Sequence, residues 1–397
     1  MDRPTDTPTA APTDADVVSM LRGVVDPELG SDIVDLGMVR GVDIADDGEV
    51  TVSIALTIAG CPLRTQIRDD VVSKLRGLPG VSGVRVEYGE MTQDQRRDVM
   101  QRARKRSADN APPTEVPLST RVVAVASGKG GVGKSSVTVN LAAALAARGL
   151  HVGVLDADIW GFSVPRMLGI SGRMGATDDR KIQPHRVPVG PGELQVVSMG
   201  FLVEDEEQAL MWRGLVLAKA LEQFLVDVGW NEMEYLLVDM PPGTGDIQMA
   251  LGRLLPRTEL LVVTTPALAA QKVAVRVADM ARRSYLKVLG VIENMSTFTC
   301  EHGETYALFG EGGGATLAGD LGVPLIGQVP LEPAVSAAND AGKPLSLAAP
   351  ASAAGSAFAE IAARLADDLL PPVDMSGCTA RLLASAESAL GTARVGD

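Results

Sequence analysis

The segment Gly128-Lys129-Gly130-Gly131-Val132-Gly133-Lys134-Ser135 constrains this chain more than any other stretch. It follows the pattern G-x-x-x-x-G-K-[ST], whose glycines let backbone N–H groups close around phosphate oxygens. That pattern fixes a fold only where a strand precedes it and a helix follows, and both flanks qualify. Arg121 to Ala126 is a short β-branched apolar run, the mark of a buried parallel strand. Beyond Ser135, Val137, Leu141 and Leu145 recur at helical spacing through an alanine-rich stretch that stops at Arg148-Gly149. The helix N-terminus adds its positive dipole end to the loop. The expected nucleotide-binding set is therefore Gly128, Lys129, Gly130, Gly131, Val132, Gly133, Lys134, Ser135 and Ser136. Lys134 is expected to reach the β- and γ-phosphates and Ser135 to ligate Mg²⁺.

From Arg121 onward, strands expected at 121–126, 151–155, 194–199, 235–239, 259–264, 288–293 and 324–328 alternate with helices. That rhythm predicts an α/β fold, a doubly wound and mostly parallel sheet forming a P-loop NTPase domain over residues 119–370. A small α+β domain is expected before it, over 13–91. Thr13 and Asp16 mark a helix start, Val39–Ile44 and Val50–Leu56 read as a hairpin, Leu63–Leu75 as a helix and Val84–Tyr88 as a last strand. Residues 92–118 read as a solvated basic helix, carrying Arg96, Arg97, Arg102, Arg104, Lys105 and Arg106, followed by a proline-rich linker. Residues 1–12 read as a disordered tail, and 371–397 as a polar tail with one weak helical stretch, Ala380 to Leu390.

Composition excludes several classes. The net charge of −14 argues against a general nucleic-acid binder. No apolar run is long enough to span a bilayer, and Met1-Asp2-Arg3-Pro4 leads into no apolar signal core, so no membrane partner and a cytoplasmic location are expected. Cys61, Cys300 and Cys378 are odd in number and far apart, which suits free thiols or ligands better than a disulfide framework.

Two apolar strands end in carboxylates, at the sheet edge where ligands of such folds bind. Val152–Leu155 runs into Asp156-Ala157-Asp158, both carboxylates placed to project toward phosphates, with Asp158 the better candidate to orient an attacking water. Tyr235–Val238 runs into Asp239, a Walker B carboxylate for the Mg²⁺ shell, and on into Met240-Pro241-Pro242-Gly243. The Gly243 N–H is the candidate sensor of a γ-phosphate.

These residues carry a resemblance. The loop with Lys129, D-A-D-I-W-G (156–161), M-W-R-G (211–214), D-M-P-P-G-T-G-D (239–246), V-T-T-P (263–266) and E-N-M-S (293–296) together resemble the Mrp/ApbC family of iron-sulfur cluster carrier ATPases. That family belongs to a wider group with MinD, ParA and the nitrogenase iron protein. The resemblance implies ATP and Mg²⁺ as ligands, ATP hydrolysis, an iron-sulfur cluster, and a homodimer in which Lys129 crosses to the partner's phosphates. It also implies that Asn294 reads the adenine edge, and that apo iron-sulfur proteins and cluster-assembly factors are the partners. In the small domain, D-P-E (26–28), I-V-D-L-G-M-V (33–39) and T-I-A-G-C-P (57–62) resemble the SufT-like domain of iron-sulfur maturation factors. There Cys61 precedes a helix start, where a thiolate is stabilised.

One departure stands out. Most members of the family follow E-N-M-S with a C-x-x-C pair, whereas this chain has Cys300-Glu301-His302-Gly303. Three ligand sets stay open: Cys300 with His302, Cys300 with another group such as Cys61 or Cys378, or no cluster at all. Phe162 and Ala267-Leu268 also depart from the family pattern, at positions not expected to touch phosphate. The alternative to a carrier is a MinD/ParA-like spatial-organising or scaffold ATPase without a cluster.

Overall fold

The computed structural model describes residues 12–26, 31–56, 64–109, 111–158, 161–177, 179–202, 214–243, 245–284 and 286–373. Most of both expected tails, Cys61, Cys378, the T-I-A-G-C-P motif and parts of the D-A-D-I-W-G, M-W-R-G, D-M-P-P-G-T-G-D and D-P-E motifs lie outside the described residues. The chain divides into two compact units, Met1–Asn110 and Ala111–Asp397.

In the first unit, α1 (Asp14–Leu21) starts at a capping box. Thr13 Oγ1 accepts from Asp16 N at 3.3 Å and Asp16 Oδ2 accepts from Thr13 N at 3.0 Å. Short strands β1 (Val25–Asp26) and β2 (Ser31–Asp32) pair antiparallel. Strand β3 (Val39–Ile44) forms a hairpin with β4 (Glu49–Leu56), and β5 (Gly83–Glu90) adds parallel to β4 after α2 (Arg64–Leu75). Val17 and Leu21 of α1, Val50, Val52 and Ile54 of β4, and Ile67, Val71 and Leu75 of α2 make its core.

Helix α3 (Gln93–Asp109) keeps most of its described side chains exposed, and some of them also pair within the unit. Its Arg106 places Nη1 2.9 Å from Asp32 Oδ2 and 2.8 Å from Asp35 Oδ2, and Arg97 pairs with Asp94. The Arg102 guanidinium lies over Gly37, where a Cβ would stand 2.6 Å from Nη1. Arg102 and Arg106 thus reach the acidic D-L-G segment of their own unit.

The second unit is a three-layer α/β/α sandwich. Its elements are β6 (Arg121–Ser127), α4 (Lys134–Ala147), β7 (His151–Asp156), α5 (Val164–Met167), the small pair β8 (Gly175–Ala176) and β9 (Ile182–Gln183), β10 (His185–Val189), β11 (Gly192–Ser198), α6 (Gly214–Val226), β12 (Tyr235–Asp239) and α7 (Asp246–Leu254). They continue as β13 (Glu259–Thr264), α8 (Leu268–Arg283), β14 (Lys287–Thr299), β15 (Thr305–Tyr306), α9 (Gly313–Leu321), β16 (Leu325–Leu331), α10 (Pro333–Asp340), α11 (Leu345–Ala348) and α12 (Ala353–Arg364). The sheet order is β10-β11-β7-β12-β6-β13-β14-β15, with β16 also on β14. Every pairing from β11 through β14, and that of β16, is parallel; β10 and β15 turn back at the two edges.

Successive residues of β6 face opposite cores, which is why that strand is apolar throughout. Val122, Ala124 and Ala126 pack in the layer with Leu221, Phe224, Leu251 and Val277. Val123 and Val125 pack in the layer with Leu141, Leu145, Phe358 and Ile361. With β7 and β12 on one side of β6 and β13 on the other, the chain changes direction across the sheet at β6. Its carboxyl end is therefore the crevice where ligands of such sheets sit.

Candidate functional site

The loop after β6 is held by close backbone contacts. A Cβ on Gly128 would lie 2.5 Å from the backbone of Val273 and Ala274, so the loop seats directly on α8. Gly133 caps α4 with φ +78, and a Cβ there would lie 2.2 Å from Asn294 Nδ2. Glycine is needed at Gly133 on both counts. Asn294 Nδ2 also donates to the Val132 carbonyl at 2.9 Å. Asn294 reaches the loop from a kink in β14, where Met295 takes φ +55 and the register with β16 shifts before Phe298. A left-handed non-glycine residue costs about 1–2 kcal/mol, a strain typical of functional segments. The neighbouring Glu293 is sealed in, accepting from Gln328 Nε2 at 2.6 Å and from the Gly314 N–H at the start of α9.

The charged groups converge at the mouth of this loop. Lys134 Nζ lies 2.7 Å from Asp239 Oδ1 and 3.8 Å from Asp158 Oδ2. It also donates to Ser135 Oγ at 3.2 Å, and Ser135 Oγ donates to Asp239 Oδ2 at 2.6 Å. Thr138, four residues after Lys134, donates to Asp239 Oδ1 at 2.9 Å and shares that proton with the Lys134 carbonyl at 3.0 Å. Asp239 is fully buried, and Lys134 is 6% exposed. The juxtaposed Ser135 hydroxyl and Asp239 carboxylate are hard oxygen donors of the kind Mg²⁺ takes, so the residues present fit that ion.

Asp156 and Asp158 part ways. Asp156 stands in register beside Asp239, on the same face, but its oxygens are taken by groups outside the loop rather than offered to phosphates as expected. Its Oδ2 accepts from Ser163 N (3.1 Å), Val164 N (3.2 Å) and Ser198 Oγ (3.1 Å), and its Oδ1 accepts from Asp158 N (3.2 Å). Burial, then the nearby charge of Asp239, pushes its pKa up to about 7. The split follows from the end of β7 at Asp156, where the chain turns and brings the N–H groups of Asp158, Ser163 and Val164 onto that carboxylate.

The Gly243 N–H donates to the Ser127 carbonyl at 2.9 Å, and the Gly243 carbonyl accepts from Gln248 Nε2 at 2.8 Å. Lys129 is exposed and makes no ion pair among the described residues; its carbonyl accepts from Ser127 Oγ at 3.0 Å.

Cys300 lies apart, at the β14–β15 hairpin. Cys300 N donates to Glu304 O and Gly303 N to Cys300 O, each at 2.9 Å, closing a three-residue loop of Glu301, His302 and Gly303. Gly303 takes φ +82, the left-handed position that ends such a loop. Cys300 is a partly exposed free thiol, and the exposed His302 places Nε2 3.8 Å from Glu301 Oε1. No group of three or more His, Cys, Asp or Glu among the described residues is arranged to hold a metal ion.

Sequence reasoning did not single out Thr138 or Gln248, and took Glu293 only as part of E-N-M-S. Thr138 carried a signal, since it stands one helical turn after Lys134 and so shares its face.

Comparison with known proteins places the chain in a family. Residues 119–366 match the family described as NUBPL iron-transfer P-loop NTPase, and residues 14–88 match one described as iron-sulfur cluster assembly protein. The chain is 46% identical over 357 residues to a protein of Mycobacterium bovis named iron-sulfur cluster carrier protein, covering 88% of this chain and 92% of that one. A protein of the same name from Deinococcus radiodurans is 43% identical over 351 residues, covering 88% of this chain and 93% of that one. Among solved structures, a nucleotide-binding protein in complex with ADP from Archaeoglobus fulgidus is 33% identical, with a TM-score of 0.49 over 60% of this chain and 90% of that one. The chain therefore belongs to the NUBPL iron-transfer P-loop NTPase family, a family of nucleotide-hydrolysing fold, with an iron-sulfur assembly domain ahead of it.

Proposed function

We propose that this protein is an ATP-hydrolysing carrier that binds an iron-sulfur cluster as cargo and hands it to apo iron-sulfur proteins. The observation that carries the ATPase half is the Lys134–Asp239–Ser135 cluster at the mouth of the glycine loop. The carrier half rests on the names of the relatives and on the accessible thiol of Cys300.

The chemistry follows from the charges. Phosphate oxygens entering the loop compete with Asp239 for Lys134, which then neutralises charge on the β- and γ-phosphates. Ser135, with Asp239 behind it, would hold Mg²⁺, and the ion would supply positive charge to the phosphates. Asp158, which stands beside Lys134, orients the water that attacks the γ-phosphate in line. The Gly243 N–H exchanges the Ser127 carbonyl for a γ-phosphate oxygen, which makes the 239–246 loop the switch. Asn294 serves the adenine edge with the part of its amide not spent on Val132.

In this reading the working form is a homodimer. Exposed Leu268 and Val275 on α8 and Tyr306, Leu308 and Phe309 after the Cys300 hairpin supply apolar surface for a second copy. The partner's Lys129 completes the charge around the phosphates. Closing and opening of that dimer with the nucleotide state governs hold and release of the cluster. Neither nucleic acid nor membrane is a partner. No helix among the described residues is long and apolar enough to cross a membrane, and the cytoplasm is the proposed location.

The test is anaerobic reconstitution with iron and sulfide, read as iron content and visible absorption, for wild type, Cys300→Ala and Cys61→Ala. Loss of iron in Cys300→Ala is the expected result. A wild type that binds no iron overturns the carrier reading and leaves a cluster-free scaffold ATPase.

A further inference from the structure

Ser136 is held from outside the phosphate loop. Asn339, near the end of α10, donates from Nδ2 to Ser136 Oγ at 3.0 Å. Asn140, one turn along α4, donates from Nδ2 to the Ser136 carbonyl at 2.8 Å and stands 3.4 Å from Asn339 Oδ1. Asn140 Oδ1 in turn accepts from Ser346 N of α11 at 2.9 Å. Asn140, Asn339 and Ser346 are 0%, 4% and 7% exposed. Two amides sealed from water are unfavourable unless paired, so a network of this kind persists where its geometry is specified.

The proton count gives the network a direction. An amide nitrogen only donates, so Ser136 Oγ accepts from Asn339 and keeps its own proton for another partner. The same helix touches a second part of the site. Past α10, Gly342 takes φ +69, and a Cβ there would lie 2.6 Å from Gly169 Cα. Gly169 follows α5, whose first turn is held by Asp156. The α10 segment, whose buried residue is Asn339, thus contacts both the start of the loop helix and the turn after α5.

We propose that Asn339 is a positioning residue of the nucleotide site: it fixes the Ser136 hydroxyl as a donor to the phosphates of a nucleoside di- or triphosphate. The inference rests on the nucleotide reading above and deepens it. Ser136 meets phosphate in ground state and transition state alike, so loss of Asn339 weakens binding of ADP and ATP together and raises KM while kcat holds.

The experiment measures ADP and ATP affinity by calorimetry, and steady-state ATP hydrolysis, for wild type, Asn339→Ala, Ser136→Ala and the double variant. Asn339→Ala is expected to weaken both nucleotides about three- to tenfold. In the Ser136→Ala background the Asn339 change is expected to add nothing, because the interaction it supplies is already gone. Asn339→Asp keeps the shape, replaces the amide donor and is expected to match Asn339→Ala, which covers the case where the alanine variant does not fold. Affinities equal to wild type, additive losses in the double variant, or a fall in kcat with ADP affinity unchanged each overturn the proposal. A wild type that binds no nucleotide would sink the site reading itself, an outcome separate from wild-type binding that ignores Asn339.

Discussion

The ammonium of Lys134 lies 2.7 Å from Asp239 Oδ1, which ties the first turn of α4 to the end of β12 through a pair shut off from water. One contact therefore serves both the fold and the phosphate chemistry. Removing one member of a buried pair leaves the other charge uncompensated.

Lys134→Ala is expected to abolish ATP hydrolysis while the protein still folds. It is also expected to lower stability of the nucleotide-free protein by about 3 kcal/mol, the scale for an orphaned buried charge. Adding Asp239→Asn is expected to recover part of that stability and none of the activity. Denaturant titration with a parallel phosphate-release assay checks both; retained turnover in Lys134→Ala would remove Lys134 from the mechanism.

Asp156 is expected to act through the loop it frames. Its carboxylate collects N–H groups from Asp158, Ser163 and Val164, at both ends of the segment that carries Asp158. Asp156→Ala is expected to cut kcat on the order of 100-fold, the effect of a misplacement of about 1 Å. ADP affinity is expected to stay near wild type. Equal losses in kcat and ADP affinity would show that the carboxylate supports the whole site rather than the Asp158 loop.

Lys129 separates the single subunit from the dimer. Its side chain is exposed and pairs with nothing among the described residues, so Lys129→Ala leaves the subunit's own contacts intact. Nucleotide affinity at low protein concentration is expected to change little, while ATP turnover falls and no longer rises with protein concentration. Sedimentation with ATP, beside the turnover series, reads both. A variant that turns over and associates like wild type would take Lys129 out of the interface.

Asp32 gives the small unit an acid limit. Burial alone would raise its pKa, but the Asp35 N–H and the Arg106 guanidinium outweigh that and hold it below the ordinary 3.8. A carboxyl whose folded pKa is lowered adds stability above its unfolded value and loses it as the pH falls through the folded one. Arg106→Ala narrows the gap between the two values. The acid transition of residues 31–38, followed by hydrogen exchange, is therefore expected to move to higher pH in that variant. An unmoved transition would show that Arg106 contributes nothing to Asp32.

The parallel sheet was legible because buried strands and the helix after the glycine loop write strong, continuous patterns. Each of the seven expected strands of the large unit has its counterpart, several within a residue of the expected bounds. The antiparallel edge strand His185–Val189 was not legible, since its burial alternates weakly around Pro188. Lys134, Ser135 and Asp239 were legible as a motif and a strand end. The occupation of Asp156 by Ser163, Val164 and Ser198 was not, because it depends on how the chain folds back after β7. Asn339 lies about 200 residues from Ser136, a pairing that only the folded chain makes. The pairing of Arg106 was hidden for the same reason, since Asp32 and Asp35 lie about 70 residues before it.

The hairpin at Cys300 limits what can stand at Gly303. Gly303 closes its turn from the left-handed region, with nothing within 4 Å of where a side chain would start. Space is no obstacle to a thiol at that position, but the backbone is, by about 1–2 kcal/mol for any L-residue. Gly303→Cys would therefore set a second thiol near Cys300 only at the expense of the turn that presents the first.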